Sequence, residues 1–401
     1  MLVIPEKNIA DDLISSINKW ELSNKVVTVV SDNGANIKNA ITEQLRFHHH
    51  PCLAHTLNLS TKEALNGNDD LNRLIIKCKN LVAHFKHSGL ATATLKKCQE
   101  QMNCSILKVK QAVDTRWNSV LIMIERLLEI KDPLTIALTN LPSAPEPIEA
   151  SEWVIISDIV PILKPLELLT VELSGEQYLT MSSVIPLIRG LQFHLRNIQP
   201  ATDIGLWLQS KLLDVISRRF SILESNKIIA KSTFLDPRFK KTAFGLEENA
   251  RNVQAWITDE VASMIATKTE NATQLNLTQA GNDRAPLQKQ GNLSLRAHFE
   301  SKLAEVAIQS KTKPSIMATL CVRHYLELPH IERSADPLLF WEEHKHMMPE
   351  LYELHKKYLC VPASSVPSER VFSKSGQITN DRRSRLSPDN LDMILFLNSV
   401  L

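Results

Sequence analysis

The sequence predicts a predominantly α-helical protein with a small α/β part. Three observations carry that prediction. Aromatic residues are only 5% of the 401 while hydrophobic residues reach 43%, an apolar supply dominated by Leu and Ile that suits helices better than a β-sandwich. Long stretches space those residues at helical intervals. One short β-branched run, Lys25-Val-Val-Thr-Val-Val30, is apolar on both faces, as a buried strand of a parallel or mixed sheet is.

Taken in order, residues 6–20 read as an amphipathic helix, with Ile9, Leu13, Ile14 and Ile17 on one stripe. The strand at Lys25–Val30 follows. Ser31-Asp-Asn-Gly34 supplies turn chemistry at its carboxyl end, and residues 35–45 return to helix. Ligand sites in such αβα units lie at the carboxyl ends of strands. Residues 48–59 read as a short strand entering a helix. Helical patterns fill 70–130, and the prolines of Leu141-Pro-Ser-Ala-Pro-Glu-Pro147 break them. Helices resume over 149–173, 181–198 and 206–222. Asp236-Pro237 signals a turn. Residues 268–293 are rich in Asn, Gln, Thr and Gly and are expected to form a solvated loop. Helical pattern returns from Leu295 to the end, with a turn at Ala335-Asp-Pro337.

Bulk properties exclude several function classes. The formal net charge is +2, so any basic footprint for nucleic acid must be local. Six cysteines occur without a Cys-x-x-Cys pair, the usage of reduced thiols in nucleus or cytosol. The N-terminus lacks a signal-peptide pattern. No run reaches the roughly 18 consecutive apolar residues of a membrane span.

Several short segments could carry chemistry, and each also has a purely structural reading. Asp32 stands just past the strand, where a carboxylate can hold Mg²⁺ with water and phosphates; it could equally cap the next helix or close an Asx turn. Cys52 and His55 are zinc-ligand types without a second pair at finger spacing; a buried Cys and a hydrogen-bonded His are the alternative. Arg116, in Asp114-Thr-Arg-Trp-Asn-Ser119, suits a phosphate or an ion pair, with Asp114 or Thr115 capping a helix that Trp117 packs. Glu369, beside Arg370, enters a helix after Pro362 and Pro367, where a carboxylate also favours the helix dipole. Asn380-Asp-Arg-Arg-Ser-Arg385 is a basic cluster or a solvated loop face. Leu391–Leu401 holds more apolar residues than one helical stripe needs, so something must cover it.

Together these segments resemble the hAT-superfamily transposases, in particular the domesticated zinc finger BED domain-containing proteins. Val29-Val-Ser-Asp-Asn-Gly-Ala-Asn36 is similar to the family's Asp-Asn-x-x-Asn segment, and Cys52-Leu-Ala-His-Thr-Leu-Asn-Leu59 to its Cys-x-x-His-x-Leu-Asn-Leu segment. Asp114-Thr-Arg-Trp117 resembles the family's Thr-Arg-Trp segment, and Phe234-Leu-Asp-Pro-Arg-Phe-Lys240 its Leu-Asp-Pro-Arg-x-Lys segment. Phe340-Trp341, Tyr352, Pro362-Ala-Ser-Ser365, Ser368-Glu-Arg-Val-Phe-Ser373 and Leu395-Phe-Leu-Asn398 resemble its C-terminal dimerisation region.

The resemblance implies an RNase H-like core interrupted by a large all-helical insertion and closed by a C-terminal dimerisation region. Its boundaries would be a partial core at 1–130, the insertion at 131–335 with its loop at 268–293, and the closing region at 336–401. It also implies a DDE-type active site holding two metal ions, in which Asp32 corresponds to the second aspartate and Glu369 to the glutamate, both as Mg²⁺ ligands. Family members place the first aspartate upstream of a helix like residues 6–20, and this chain begins there. The expectation is therefore a truncated core without the first strands, the first aspartate or the BED finger. No cofactor is expected in this chain, and Mg²⁺ only in an intact homologue.

The expected function is that of a catalytically incomplete, hAT-derived nuclear protein. It would pair with itself or a related hAT protein through Phe340, Trp341, Leu395, Phe396 and Leu397. DNA is a further candidate partner, with transcription regulation as the outcome and Arg116, Arg370, Arg382, Arg383 and Arg385 as contacts. No membrane and no small-molecule substrate are expected. The competing readings are a fragment of an active DDE-type transposase, performing metal-dependent phosphoryl transfer, and a truncated product without a stable fold.

Overall fold

The computed structural model describes residues 5–113, 116–280, 302, 313–379 and 386–400. It divides into two compact units, Met1–Leu223 with Val361–Leu401, and Glu224–Cys360. The described residues are mostly helical, with one two-stranded sheet.

In the first unit, helix α1 (Glu6–Lys19) turns Ala10 and Ile17 inward. Strand β1 (Val29–Ser31) pairs in parallel with β2 (His49–Pro51), matching Val29 to His49 and Ser31 to Pro51. The strand is shorter than the Val/Thr run at its start, because the segment before His48 that would pair with residues 25–28 is still closing the preceding helical turn, with Phe47 N–H on the Ile41 carbonyl. Helix α2 (Ala35–Asn39) continues into a wider turn over Ala40–Gln44, whose Ala40 and Ile41 are fully buried. Helices α3 (Leu53–Asn66), α4 (Asp69–His87) and α5 (Gly89–Gln101) follow. Asn68 caps α4 through Leu71 N–H, and Ser88 caps α5 through Ala91 N–H.

Helices α6 (Asn118–Glu129) and α7 (Lys131–Thr139) precede the long α8 (Ala150–Leu173). A reciprocal capping box between Glu149 and Glu152 opens α8. Helix α9 (Val184–Asn197) leads to α10 (Asp203–Arg219). The Asp158 carboxylate of α8 accepts from the N–H groups of Ala201 and Thr202 and from the Thr202 hydroxyl. That fixes the start of α10 against α8. A side chain at Gly205 would come within 2.5 Å of the same carboxylate, so only glycine fits there. Arg219 of α10 meets Glu63 of α3 through two bonds.

In the second unit, α11 (Lys227–Leu235) is capped by Asn226 and buried along most of its length. Helices α12 (Glu247–Ala280), α13 (Pro314–Glu327), α14 (Pro337–His344) and α15 (Pro349–Leu359) surround it. Helix α12 covers 268–280, where a loop was expected; the rest of that stretch lies outside the described residues. The run Phe234–Lys240 forms the centre. The last carbonyls of α11 lack intrahelical partners. Tyr325 Oη donates to the Phe234 carbonyl and Trp341 Nε1 to the Leu235 carbonyl, each at 2.9 Å. Trp341 stacks on Tyr325 at 5.1 Å and on His355 at 5.3 Å. Asp236, fully buried, receives Arg238 Nε and Nη2 at 2.9 and 2.7 Å.

This centre corrects one expectation. Phe340 and Trp341 are 7% and 0% exposed. They seal the interior of the second unit because Trp341 must cap α11 and both rings complete the aromatic stack. They are not available to a partner chain.

Lys240 lies in this core with its ammonium donating to the carbonyls of Tyr325 and Leu328 at 2.9 and 2.6 Å, over the Tyr325 ring. Burial pulls its pKa down to about 8, while the carbonyls favour the charged form. Lys240→Met is expected to destabilise the second unit by roughly 2–4 kcal/mol, since each buried carbonyl left without a donor costs about 1–3 kcal/mol. Urea unfolding followed by Trp fluorescence measures this; a loss below about 1 kcal/mol would show that the carbonyls find other partners.

His50, at the centre of β2, is 1% exposed. Its Nδ1 donates to the Pro51 carbonyl at 2.9 Å, and its Nε2 has no partner. The neutral ring is thereby favoured, and burial pushes the pKa down to about 4 from 6.5. Between those values the unfolded chain binds a proton that the folded chain refuses. Stability is therefore full above about pH 6.5 and falls toward pH 4, by up to about 3 kcal/mol. His50→Leu should flatten that acid limb in urea titrations at successive pH values. An unchanged slope would assign the acid sensitivity to other groups.

Candidate functional site at the carboxyl end of the strands

The carboxyl end of β1 and the turn after β2 gather three distant parts of the first unit. Cys52 N–H donates to the Ser31 carbonyl at 2.7 Å, extending the ladder by one bond. Leu53 N–H, in the first turn of α3, donates to the Ala363 carbonyl at 3.0 Å. Ser365 N–H donates to Cys52 Sγ at 3.4 Å. Ala363 N–H and the Ser364 hydroxyl are held by Thr180 Oγ1 and the Leu173 carbonyl, at 2.9 and 2.8 Å. Helix α16 (Val366–Ile378) starts from this anchored segment.

Both candidate acidic residues hang on this junction. Asp32 directly follows Ser31 and is exposed; its Oδ1 accepts from Gly34 N–H at 3.1 Å. That is the turn-closing role foreseen for it. Glu369 is in the first turn of α16, exposed, with Oε1 taking the Ser365 hydroxyl at 3.2 Å. A bonded path thus runs from Asp32 through Ser31, Cys52 and Ser365 to Glu369, across more than 300 residues of chain. The Ser31 hydroxyl gives its proton to the Asp32 carbonyl at 2.9 Å, so His49 Nε2, also at 2.9 Å, donates to Ser31 Oγ. Burial holds the His49 pKa below its ordinary value, partly offset by the nearby Asp32 backbone.

Among the described residues no group of three His, Cys, Asp or Glu side chains has metal-holding geometry. Two-ion phosphoryl transfer needs carboxylates that hold both cations. Asp32 and Glu369 each accept one hydrogen bond from a neighbour, which leaves lone pairs on both carboxylates. Cys52 is buried and its sulfur accepts from Ser365, and among the described residues no zinc-like set forms around it and His55.

The arginine candidates separate. Arg116 is exposed and has no ion pair among the described residues. Trp117, next to it, is buried and donates its N–H to Asn58 Oδ1 at 3.2 Å, which joins the Thr-Arg-Trp segment to α3. Arg370 is half-exposed, 3.7 Å from Glu176. Arg382, Arg383 and Arg385 lie outside the described residues, as do Asp114 and Thr115.

Helix α17 (Pro388–Val400) packs on α16. Leu395 is partly covered, while Phe396 and Leu397 remain 65% and 50% exposed. Met393 on α17, and Val371 and Phe372 on α16, add exposed apolar surface, with Phe372 at 75%. Sequence pattern does not single out the α16 pair, because that helix is short and mostly polar. No helix among the described residues is long and apolar enough to cross a membrane.

Residues 50–161 match the ZBED1 RNase-like helical domain, and residues 322–401 match the hAT family C-terminal dimerisation region. The chain is 24% identical over 423 residues to zinc finger BED domain-containing protein 6 of Homo sapiens, covering 98% of this chain and 42% of that protein. It is 27% identical over 348 residues to zinc finger BED domain-containing protein 4 of Homo sapiens, covering 86% of this chain and 28% of that protein. The chain therefore spans less than half the length of these relatives. Two domain matches in family order, with alignment along nearly the whole chain, make it similar to the hAT-transposase-derived proteins of the zinc finger BED domain-containing type.

Proposed function

We propose that the chain works as a nuclear association protein whose transposase-type acidic site is incomplete within its own residues. It pairs with itself or with a related hAT protein through the surface shared by α16 and α17. The carrying observation is the exposed apolar set Val371, Phe372, Met393, Phe396 and Leu397, inside the matched dimerisation region. Exposed large side chains gathered on two packed helices are what an interface requires. Contact with DNA and a role in transcription regulation belong to the same reading.

A specific observation favours a second reading. The bonded path from Asp32 to Glu369 links two acidic residues through the carboxyl end of a parallel sheet, and strand-end sites form at such ends. Under this reading the first unit contains part of an RNase H-like core. A further carboxylate from outside these residues would then complete a DDE-type site.

Two experiments separate the readings. Burying one large apolar side chain contributes about 1.5–3 kcal/mol, and each 1.4 kcal/mol is tenfold in affinity. Phe372→Asp with Leu397→Asp should therefore weaken self-association by tenfold or more in sedimentation, with an unchanged melting temperature. An unshifted sedimentation profile sinks the interface. For the acidic site, the purified chain with Mg²⁺ should leave a terminal-repeat duplex uncut. Cleavage abolished by Asp32→Asn would overturn the incompleteness and establish the second reading.

A further inference from the structure

The chain's small net charge conceals a strong local imbalance. Residues 71–116 contain nine Lys and Arg against two Asp and Glu, a local excess of seven in a chain of net charge +2. The remainder is therefore acidic on balance, by five. Some of the nine are neutralised: Arg73 pairs with Asp70, and Lys77 with Glu146 and Glu152. Lys96 is exposed and loosely paired with Glu100 at 3.7 Å. Lys97, Lys108, Lys110 and Arg116 are exposed and carry no ion pair among the described residues.

The fold lines these charges up. After α5 the chain runs without regular structure from Asn103 to Val113. Gln99 Nε2 donates to the Leu107 carbonyl at 3.1 Å, which holds this segment against the last turn of α5, one turn beyond Lys96 and Lys97. Arg126 Nη1 donates to the Lys108 carbonyl at 2.6 Å, and the Ser119 hydroxyl bonds both N–H and C=O of Val113 at 2.7 and 2.8 Å. The segment therefore runs back along α6 toward its start. Exposure alternates along it: Ile106, Lys108 and Lys110 are exposed, while Leu107, Val109 and Gln111 are partly covered and Ala112 is buried. Lys108 and Lys110 thus share the outward face, about 6.6 Å apart at an extended rise. Arg116 stands at the end of the same line.

We infer that Lys97, Lys108, Lys110 and Arg116 form a phosphate-binding strip that holds duplex nucleic acid without reading its sequence. Duplex DNA carries one charge per about 1.7 Å of axis, so a line of ammonium and guanidinium groups meets phosphates in any register. Sequence is read by side chains that reach base edges, and of the strip's four cations only Arg116 carries the planar fork that pairs with a base. Single strands are held by bases stacking on aromatic rings. Phe85 is the only Phe, Tyr or Trp between residues 71 and 113, and it is buried. The chemistry therefore favours the duplex backbone over an unpaired strand. The strip gives the proposed DNA contact its place and its chemistry. It shares no residue with the α16–α17 surface or the Asp32–Glu369 junction, so it stands or falls independently of the proposed association.

Fluorescence anisotropy with the whole chain and two 20-base-pair duplexes of unrelated sequence tests this across a salt series. The chain should bind both duplexes equally, and each more tightly than the matching single strand. Exchanging all four residues for Gln should flatten the log–log salt dependence by about 3–4, at about 0.9 for each phosphate no longer neutralised. Affinity should fall at least tenfold at low salt, with the melting temperature and the sedimentation profile unchanged. An unaltered salt slope in the four-residue variant would overturn the strip while leaving DNA contact elsewhere on the chain. Absence of duplex binding at low salt would overturn both. Preferential binding of a poly-glutamate peptide or of phosphatidylserine vesicles would overturn the strip's assignment to nucleic acid.

Discussion

The junction at Cys52 is the constraint on which the first unit depends. One residue's N–H continues the parallel ladder to Ser31, its sulfur accepts Ser365, and the next N–H takes the Ala363 carbonyl. A two-stranded parallel sheet is a weak element in isolation, and here the backbone bonds that extend it also recruit a segment from the far end of the chain. Cys52 and Ala363 are buried, so these bonds form away from water, where leaving them unmade costs most. The position of α16, and with it Glu369 and Phe372, follows from that anchoring. Closing a loop of some 300 residues carries an entropy cost that grows only slowly with length, which makes so distant a partner feasible once its groups are paired.

The second unit is organised by a comparable satisfaction of polar groups. A short buried helix, α11, ends inside the core, where its last carbonyls would be orphans. Tyr325 and Trp341 answer them from two other helices, and Lys240 answers carbonyls of the chain leaving α13. The same aromatic rings supply the packing area. This explains why a motif rich in charge, Leu235-Asp-Pro-Arg-Phe-Lys240, sits in an interior: Asp236 and Arg238 satisfy one another, and Lys240 is held by carbonyls. Such a network specifies one arrangement strongly, because any member left unpaired is costly.

Function is distributed over surfaces of contrasting chemistry. The α16–α17 pair exposes apolar side chains, the stretch around α5 and α6 exposes lysines, and the strand ends expose two carboxylates. Each can act without the others.

Much of the architecture was legible in the sequence. The helix over 6–19 and the long helix over 150–173 announce themselves through local periodicity, while of the Val/Thr run only Val29 and Val30 enter the strand and both stay half-covered. The bond between Cys52 and Ser365 has no local pattern behind it, since the two lie more than 300 residues apart. Other features were decided by tertiary structure alone. Phe340 and Trp341 resemble interface anchors in sequence, yet α11 needs their cover and a hydrogen-bond donor, which places them inside. Phe372 looks ordinary in a mostly polar helix, yet α16 stands clear of the core on that side and leaves it exposed. The expected loop at 268–280 is helix because α12 continues through it, a continuation its Asn, Gln and Thr content does not forbid. Sequence alone determined which residues could be buried, charged or capping. Burial itself depends on which distant segment arrives to cover a side chain, and only the folded chain settles that.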